Sequence, residues 1–250
     1  MSTPFDSAFL SRTELLLGRP AVAAFAQTHV VVVGVGGVGG WCAEALVRSG
    51  LGHLVIVDDD SVSPSNLNRQ LPATTHTLGR PKVAALAERL LSINPALDLV
   101  ARATRYTPET AADFDAFFTP SAETAPVFVV DAIDSVPCKA ALIRHVAGSP
   151  ATLFSSMGAG ARIDPSRIKA TSFKKVQGDG LARALRQRFK RDGLFPARDF
   201  TCVWSDEPAR NRGERRPADG LANGSCMPVT ASFGLRLAAL VLAAAAHGRL

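Results

Sequence analysis

The stretch His29-Val-Val-Val-Val-Gly34-Val-Gly36-Gly37-Val-Gly39 reads as a buried strand running into a glycine-rich loop, and Val38 to Ser49 behind it reads as a helix stopped near Gly50. A β-branched run bounded by glycine is strand-like. The glycines let the chain turn tightly and let a phosphate approach backbone amides at the positive end of a helix. His53-Leu-Val-Ile-Val57 is a second strand, and it ends in Asp58-Asp-Asp60. Asp58 stands 19 residues beyond Gly39, where it can accept hydrogen bonds from a ribose. Strand, loop, helix and acid agree, so a nucleotide site is expected. The loop leaves two chemistries open: hydride transfer from NAD, or adenylation with ATP.

Working outward, short apolar runs alternate with amphipathic stretches, the pattern of βα units on a parallel sheet. Pro81 opens a helix over Lys82 to Ile93, which Asn94-Pro95 closes. Leu97 to Ala103, Val127 to Asp131 and Ala151 to Ser155 read as further strands, and Ser135 as the cap of a helix running to Val146. After Gly160 the character changes. Leu181 to Arg191 reads as a basic helix, Arg210 to Gly224 as a polar loop, and the chain from Met227 onward as an apolar helix. The expectation is an α/β, Rossmann-like, doubly wound, mainly parallel sheet with helices on both faces and a basic C-terminal elaboration. It forms one domain over 1–250, with a nucleotide-binding core over 1–160 and a basic substrate-binding and helical part over 161–250.

Composition narrows the class. With 47% hydrophobic and 20% charged residues among 250, disorder is excluded. Cys42, Cys138, Cys202 and Cys226 form no C-x-x-C pair, and His29, His53, His76, His145 and His247 form no spaced cluster, so neither a disulfide scaffold nor zinc is expected. Cys42 and Cys138 read as packing residues, and Cys202 and Cys226 lie where a thioester cysteine could sit. Leu237 to Ala246 is an apolar run of ten, short of the ~18 that span a bilayer, and reads as a core helix. Met1 to Arg12 lacks a charged-then-apolar leader, which predicts a cytoplasmic protein. From Arg162 to Arg216 there are 15 Lys/Arg against 7 Asp/Glu, whereas the rest of the chain has 13 against 15. So basic a block suits a polyanion, because each neutralised phosphate releases condensed counterions.

Triphosphate charge needs cations, and Mg²⁺ needs a carboxylate. Ser65-Asn-Leu-Asn-Arg-Gln70, Lys82 and Asp131-Ala-Ile-Asp134 stand at successive strand ends, on the carboxyl edge where open α/β sheets bind ligands. Together they favour ATP and Mg²⁺ over NAD.

These motifs resemble the E1-like activating enzymes, which adenylate a carboxylate with ATP, over roughly Arg12 to Ser156. The resemblance implies that Gly34, Gly36, Gly37 and Gly39 hold phosphates and that Asp58 holds the ribose. It places Asn66, Arg69 and Lys82 on the triphosphate and Asp134 on Mg²⁺, with Asp60, Gln70 and Ser135 completing the cofactor site. Ser135 stands where the sulfur-carrier branch has Asn. Arg12 resembles the family's N-terminal arginine, which reaches the partner subunit's ATP and implies a homodimer; Arg12, Arg69, Lys82 and Asp134 are thus the implied catalytic set. The missing C-x-x-C pairs, Lys139 and the tail Asn223-Gly-Ser225 with Val229-Thr-Ala-Ser-Phe-Gly234 are similar to the tRNA threonylcarbamoyladenosine dehydratases. That branch activates the carboxylate of a modified tRNA adenosine and cyclises it, and it implies a sulfur-transfer or cysteine desulfurase partner. The basic segment fits a tRNA, with Lys174, Lys175, Arg186, Lys190 and Arg191 as phosphate contacts; Arg183, Arg186 and Lys190 share one helix face by spacing. Alternatives are adenylation of a ubiquitin-like sulfur carrier's C-terminus, and a non-catalytic nucleotide module that docks RNA.

Overall fold

The computed structural model describes residues 8–119, 126–214 and 223–246. In chain order the elements are α1 (Ser11–Leu17), α2 (Arg19–Ala26), β1 (His29–Val33), α3 (Gly39–Arg48), β2 (His53–Val57), α4 (Lys82–Ile93), β3 (Asp98–Arg102), the single turn α5 (Asp115–Phe118) and β4 (Val127–Asp131). They continue with α6 (Val136–Gly148), β5 (Thr152–Ser156), β6 (Ile168–Ser172), α7 (Gly180–Asp192), β7 (Thr201–Ser205) and α8 (Met227–Ala245). One seven-stranded sheet runs in the order β3-β2-β1-β4-β5-β7-β6. Every pairing is parallel except β6 on β7.

The valine run of β1 is buried on both faces, as in a covered parallel sheet. Val30 and Val32 meet Phe25 of α2, Leu46 of α3, Leu86 of α4 and Phe233 of α8. Val31 and Val33 belong to the core on the other side, with Leu142 and Ile143 of α6 and Leu185 and Phe189 of α7. The doubly wound, mainly parallel sheet is therefore the expected one. Two strands after Gly160 were not foreseen. β6 has no buried residue and carries Lys169, the signature of an edge strand rather than of an apolar run. β7 becomes a strand by pairing with β5 and β6 together, which no local pattern announces.

The basic helix is one residue longer at each end than expected. Its N-cap Asp179 accepts from the Ala182 amide, and Gly193 ends it in the left-handed region at φ 65°. α8, at 19 residues with mean hydropathy 1.6, is long and apolar enough by those measures to cross a bilayer. It is instead a core helix: Val229, Phe233, Leu237 and Val241 are wholly buried, while Arg236 is exposed. Residues 215–222 of the polar loop, His247 and the first residues of the expected leader-free terminus lie outside the described residues.

Candidate functional site

The strand order reverses between β1 and β4, and open α/β sheets bind ligands at such a switch point. A cleft of about 940 Å³ opens there, at the carboxyl ends of the strands. Gly34, Gly36, Gly37, Asp58, Asp60, Asn66, Arg69, Gln70, Lys82, Asp134 and Ser135 all line it. Gly39 does not. Gly39 serves packing, since a Cβ there would lie 1.8 Å from the Gly34 carbonyl oxygen. Gly34 has φ +88°, and a Cβ would stand 2.8 Å from the Ala132 carbonyl oxygen, so only glycine lets the loop cross the end of β4.

At the end of β2, the Asp58 carboxylate accepts the Val35 amide at 2.8 Å and the Asp60 amide at 2.9 Å. Its burial pushes the carboxyl above the ordinary value, against the opposing pull of Lys82 and of those amides. Lys82, buried at the start of α4, donates to Asp60 at 2.7 Å and stands 4.0 Å from Asp58. Asp59 pairs with Arg105 at 2.9 Å. Asp58, Asp59 and Asp60 bring oxygens within 4.8 Å of one another, the one such group among the described residues, and Lys82 and Arg105 already balance much of its charge. Asp60 thus acts on the nucleotide site through Lys82.

The hexapeptide after β2 begins in a short 3₁₀ turn over Pro64–Asn66, in which the side-chain Oδ1 of Asn66 accepts the Ser63 amide at 3.1 Å. Arg69 folds back onto the Ser65 carbonyl at 2.8 Å and Asn68 at 3.0 Å. Gln70 is buried beside Gly36, and its Oε1 is the one buried side-chain polar atom without a partner among the described residues. Such an orphaned acceptor costs about 1–3 kcal/mol unless a donor arrives. A nucleotide carrying hydroxyl and amino donors satisfies it, so the residues fit ATP.

At the end of β4 the two aspartates part company. Asp131 is wholly buried: it pairs with Lys139, also wholly buried, at 2.8 Å, and accepts the Ser155 hydroxyl at 2.7 Å and the Ile133 amide at 3.1 Å. Lys139 also donates to the Ile133 carbonyl at 3.0 Å. This buried knot fixes the turn 132–134 and leaves Asp134 exposed in the cleft, the one of the pair open to a cation. Ser135 takes the N-cap position of α6 without a side-chain capping bond, which leaves its hydroxyl to the cleft.

Other expected residues are placed elsewhere. Arg12 is exposed on α1, outside the cleft of its own chain and with no ion pair among the described residues. Lys174, Lys175, Lys190 and Arg191 are exposed; Arg191 lies 3.4 Å from Asp192. Arg186 is held differently from the others. Its guanidinium donates to the carbonyls of Phe173 at 2.8 Å and Val176 at 2.7 Å and covers the Phe173 ring at 4.8 Å, so it holds the Phe173–Lys175 turn. Spacing put Arg186 on one helix face with Arg183 and Lys190; it could not show that this edge meets the turn. Cys202 is buried within β7 and burial pushes its thiol far up, which removes it as a nucleophile. Cys138 is half-buried and lines the cleft rather than only packing, and Cys226 is the N-cap of α8.

Several cleft features had no sequence signal. Arg162 and Asp179, both buried, pair at 2.9 Å beneath Gly158, whose amide Asp179 accepts and whose carbonyl Arg162 meets. Asn68 donates to the Ser225 carbonyl at 2.8 Å, tying the hexapeptide to the segment entering α8. Only the fold brings these pieces together.

The ThiF family model matches residues 10–246. The chain is 38% identical to the Escherichia coli (strain K12) tRNA threonylcarbamoyladenosine dehydratase over 94% of this chain and 93% of that one. A crystal structure of the E. coli tRNA N6-threonylcarbamoyladenosine dehydratase in complex with ATP superposes with a TM-score of 0.87 at 33% identity, covering 99% of this chain and 98% of that one. The same enzyme in complex with AMP gives 0.88 over the same shares, again at 33% identity. The E. coli sulfur carrier protein ThiS adenylyltransferase is 41% identical, over 35% of each chain.

Proposed function

Because the chain belongs to the ThiF family of E1-like enzymes, we propose that it is an ATP-dependent enzyme that adenylates the carboxylate of threonylcarbamoyladenosine in tRNA and cyclises it, releasing AMP and pyrophosphate. The observation that carries this reading is the switch-point cleft itself: a glycine loop, a ribose-placed Asp58, cations Arg69 and Lys82 and an orphaned Gln70 acceptor. Nearly full-length similarity to tRNA threonylcarbamoyladenosine dehydratases joins it, against similarity over 35% of the chain for the sulfur-carrier branch.

ATP supplies the AMP group that turns a poor electrophile into one with a good leaving group; Asp134, exposed in the cleft, would hold Mg²⁺, which would shield the phosphates. The loop amides, Arg69 and Lys82 stabilise charge growing on the phosphate oxygens, a preorganised electrostatic effect. Lys82 is held ready by Asp60 and Asp58 and exchanges those partners for phosphate when nucleotide binds. Ring closure uses the substrate's own neighbouring group, favoured by proximity. No protein nucleophile is needed, in keeping with the buried Cys202.

The basic surface over Lys174, Lys175, Lys190 and Arg191 holds the tRNA backbone, within a part, 161–250, that serves the substrate while 1–160 serves the nucleotide. A homodimer lets Arg12 reach the partner's ATP; Leu15 and Leu16 beside it, each 80% exposed, supply apolar area for that contact. The location is cytoplasmic, where tRNA and a cysteine desulfurase partner would be met. Incubating threonylcarbamoyladenosine-containing tRNA with the chain and ATP, then weighing its nucleosides, tests the reading. Loss of one water's mass from the modified nucleoside is expected, and an unchanged nucleoside refutes it.

A further inference from the structure

The cleft runs on past the end of β4. Asp58 follows β2, Gly34 follows β1, Asp134 follows β4 and Gly158 follows β5, and all four line the same cavity. Neighbouring strands lie about 4.8 Å apart, so the β2 and β5 ends stand roughly 14 Å from each other. A nucleotide with its ribose at Asp58 and its phosphates on the glycine loop takes the β2 and β1 part. Gly158, Gly160, Gly180, Leu181, Ala209 and Asn223 line the rest. We infer that this β5 end of the cleft receives the acceptor nucleotide of the RNA, and that the buried Arg162–Asp179 pair positions its wall. The inference rests on the tRNA reading above and deepens it by naming where the acceptor sits and what aligns it.

The two side chains are almost wholly buried, and each of their nitrogen and oxygen atoms is engaged in joining three segments. One Asp179 oxygen accepts the Ala182 amide at 2.9 Å and caps α7. The other accepts the Gly158 amide at 3.2 Å and the Arg162 guanidinium at 2.9 Å. Arg162 donates in turn to the carbonyls of Gly158, of Gly160 at 3.4 Å and of Glu207 at 3.2 Å. The turn between them is strained: Ala161 has φ 61°, in the region that favours glycine. Its amide donates to the Gly224 carbonyl at 2.7 Å, and its carbonyl accepts the Arg210 amide at 2.8 Å. A Cβ on Gly160 would stand 3.0 Å from that of Asn223. Backbone so closely fixed at a strand end, and open to the cleft, is suited to aligning a reacting group. Because its own atoms are all committed, the pair positions the wall and does not touch the substrate.

Charge separates the two ends of the cleft. At the β2 end stand Asp58, Asp59 and Asp60, and the cations there, Lys82 and Arg105, are paired with them. At the β5 end Arg183 lies one turn along α7 from Gly180, and Arg210 follows Ala209. Both arginines are exposed, and neither side chain has a partner among the described residues. An RNA backbone thus meets free cations at the second rim and carboxylates at the first. The strand order also puts the glycine loop between Asp58 and the β5 wall. A carboxylate held at that wall has the phosphates before it: its oxygen bonds to the α-phosphorus, the bond to the bridging oxygen breaks, and pyrophosphate leaves with that electron pair.

The test uses the full-length chain and threonylcarbamoyladenosine-containing tRNA. Asp179→Asn keeps an oxygen to cap α7 but replaces the one that Gly158 and Arg162 share. Its kcat should fall about a hundredfold, the scale of a reacting group misplaced by an ångström, while ATP and tRNA affinities measured by calorimetry stay near those of the wild type. Arg162→Lys keeps the charge but not the fork, so its kcat should fall between the two. Adding Arg162→Met to Asp179→Asn removes the unpaired buried charge, so Tm should rise above that of Asp179→Asn while kcat stays low. That split distinguishes positioning from support of the fold. Wild-type kcat in Asp179→Asn, a kcat that follows Tm through the variants, or ATP affinity lost in all of them overturns the inference alone. A wild-type chain that leaves the tRNA unconverted overturns the functional reading, and the inference with it.

Discussion

Replacing Lys139 with methionine should destabilise the fold by about 3–5 kcal/mol, the usual cost of removing one partner from a buried ion pair. Both partners are wholly buried, with Nζ 2.8 Å from the Asp131 carboxylate. At that separation the attraction is roughly 6 kcal/mol at an effective dielectric of 20, and the desolvation of two ions offsets most of it. Methionine matches the stem but leaves the carboxylate with two neutral donors, the Ser155 hydroxyl at 2.7 Å and the Ile133 amide at 3.1 Å. The damage is thus an uncompensated buried charge, and Asp131→Asn on the Lys139→Met background should recover more than half of the loss. Urea unfolding followed by the fluorescence of Trp41 and Trp204 measures it as a lower midpoint at unchanged slope. For a chain of this length the expected fall in Tm is roughly 10 °C. Two results refute the reasoning: a loss of under about 1 kcal/mol in the single variant, within the range of ordinary surface changes, or a double variant no more stable than the single one.

Burial holds the Asp58 carboxyl above its ordinary value, so it takes up a proton sooner as pH falls. ATP affinity should therefore weaken on acidification while still above the ordinary carboxylate range near ~3.9, and Asp58→Asn should bind weakly at every pH; calorimetric titration across mildly acid to neutral pH reads both, and a pH-independent wild type removes Asp58 from the site. The stability linkage has the opposite sign, because a raised folded value stabilises below the unfolded pKa and that contribution is lost as pH rises through the folded one. Arg186→Ala should lower stability by roughly 2–3 kcal/mol, from two charged hydrogen bonds and a ring contact, while leaving the salt slope of tRNA binding unchanged; a changed slope at constant stability would make Arg186 a phosphate contact. Mixing Arg12→Ala with Lys82→Ala subunits should restore part of the activity, since some mixed dimers hold one intact site, and no rescue under subunit exchange counts against the shared site.

The nucleotide half was legible in the amino-acid order because its signals are local. A valine run, glycines at fixed offsets and acids at strand ends each act within a few residues of where they stand. β1, α4 and β4 accordingly fall at His29–Val33, Lys82–Ile93 and Val127–Asp131, where the sequence places them. A resemblance extended that reading to Gln70, Lys82 and Asp134, all of which the fold brings to one cleft. Beyond Gly160 the sequence announced the two helices and an excess of positive charge, but neither strand. β7 is a strand because β5 and β6 flank it, Arg186 turns inward because the Phe173 turn offers it carbonyls, and Asp131 differs from Asp134 because Lys139 lies beneath one and not the other. These outcomes depend on partners brought together across the fold, so spacing alone carries no trace of them.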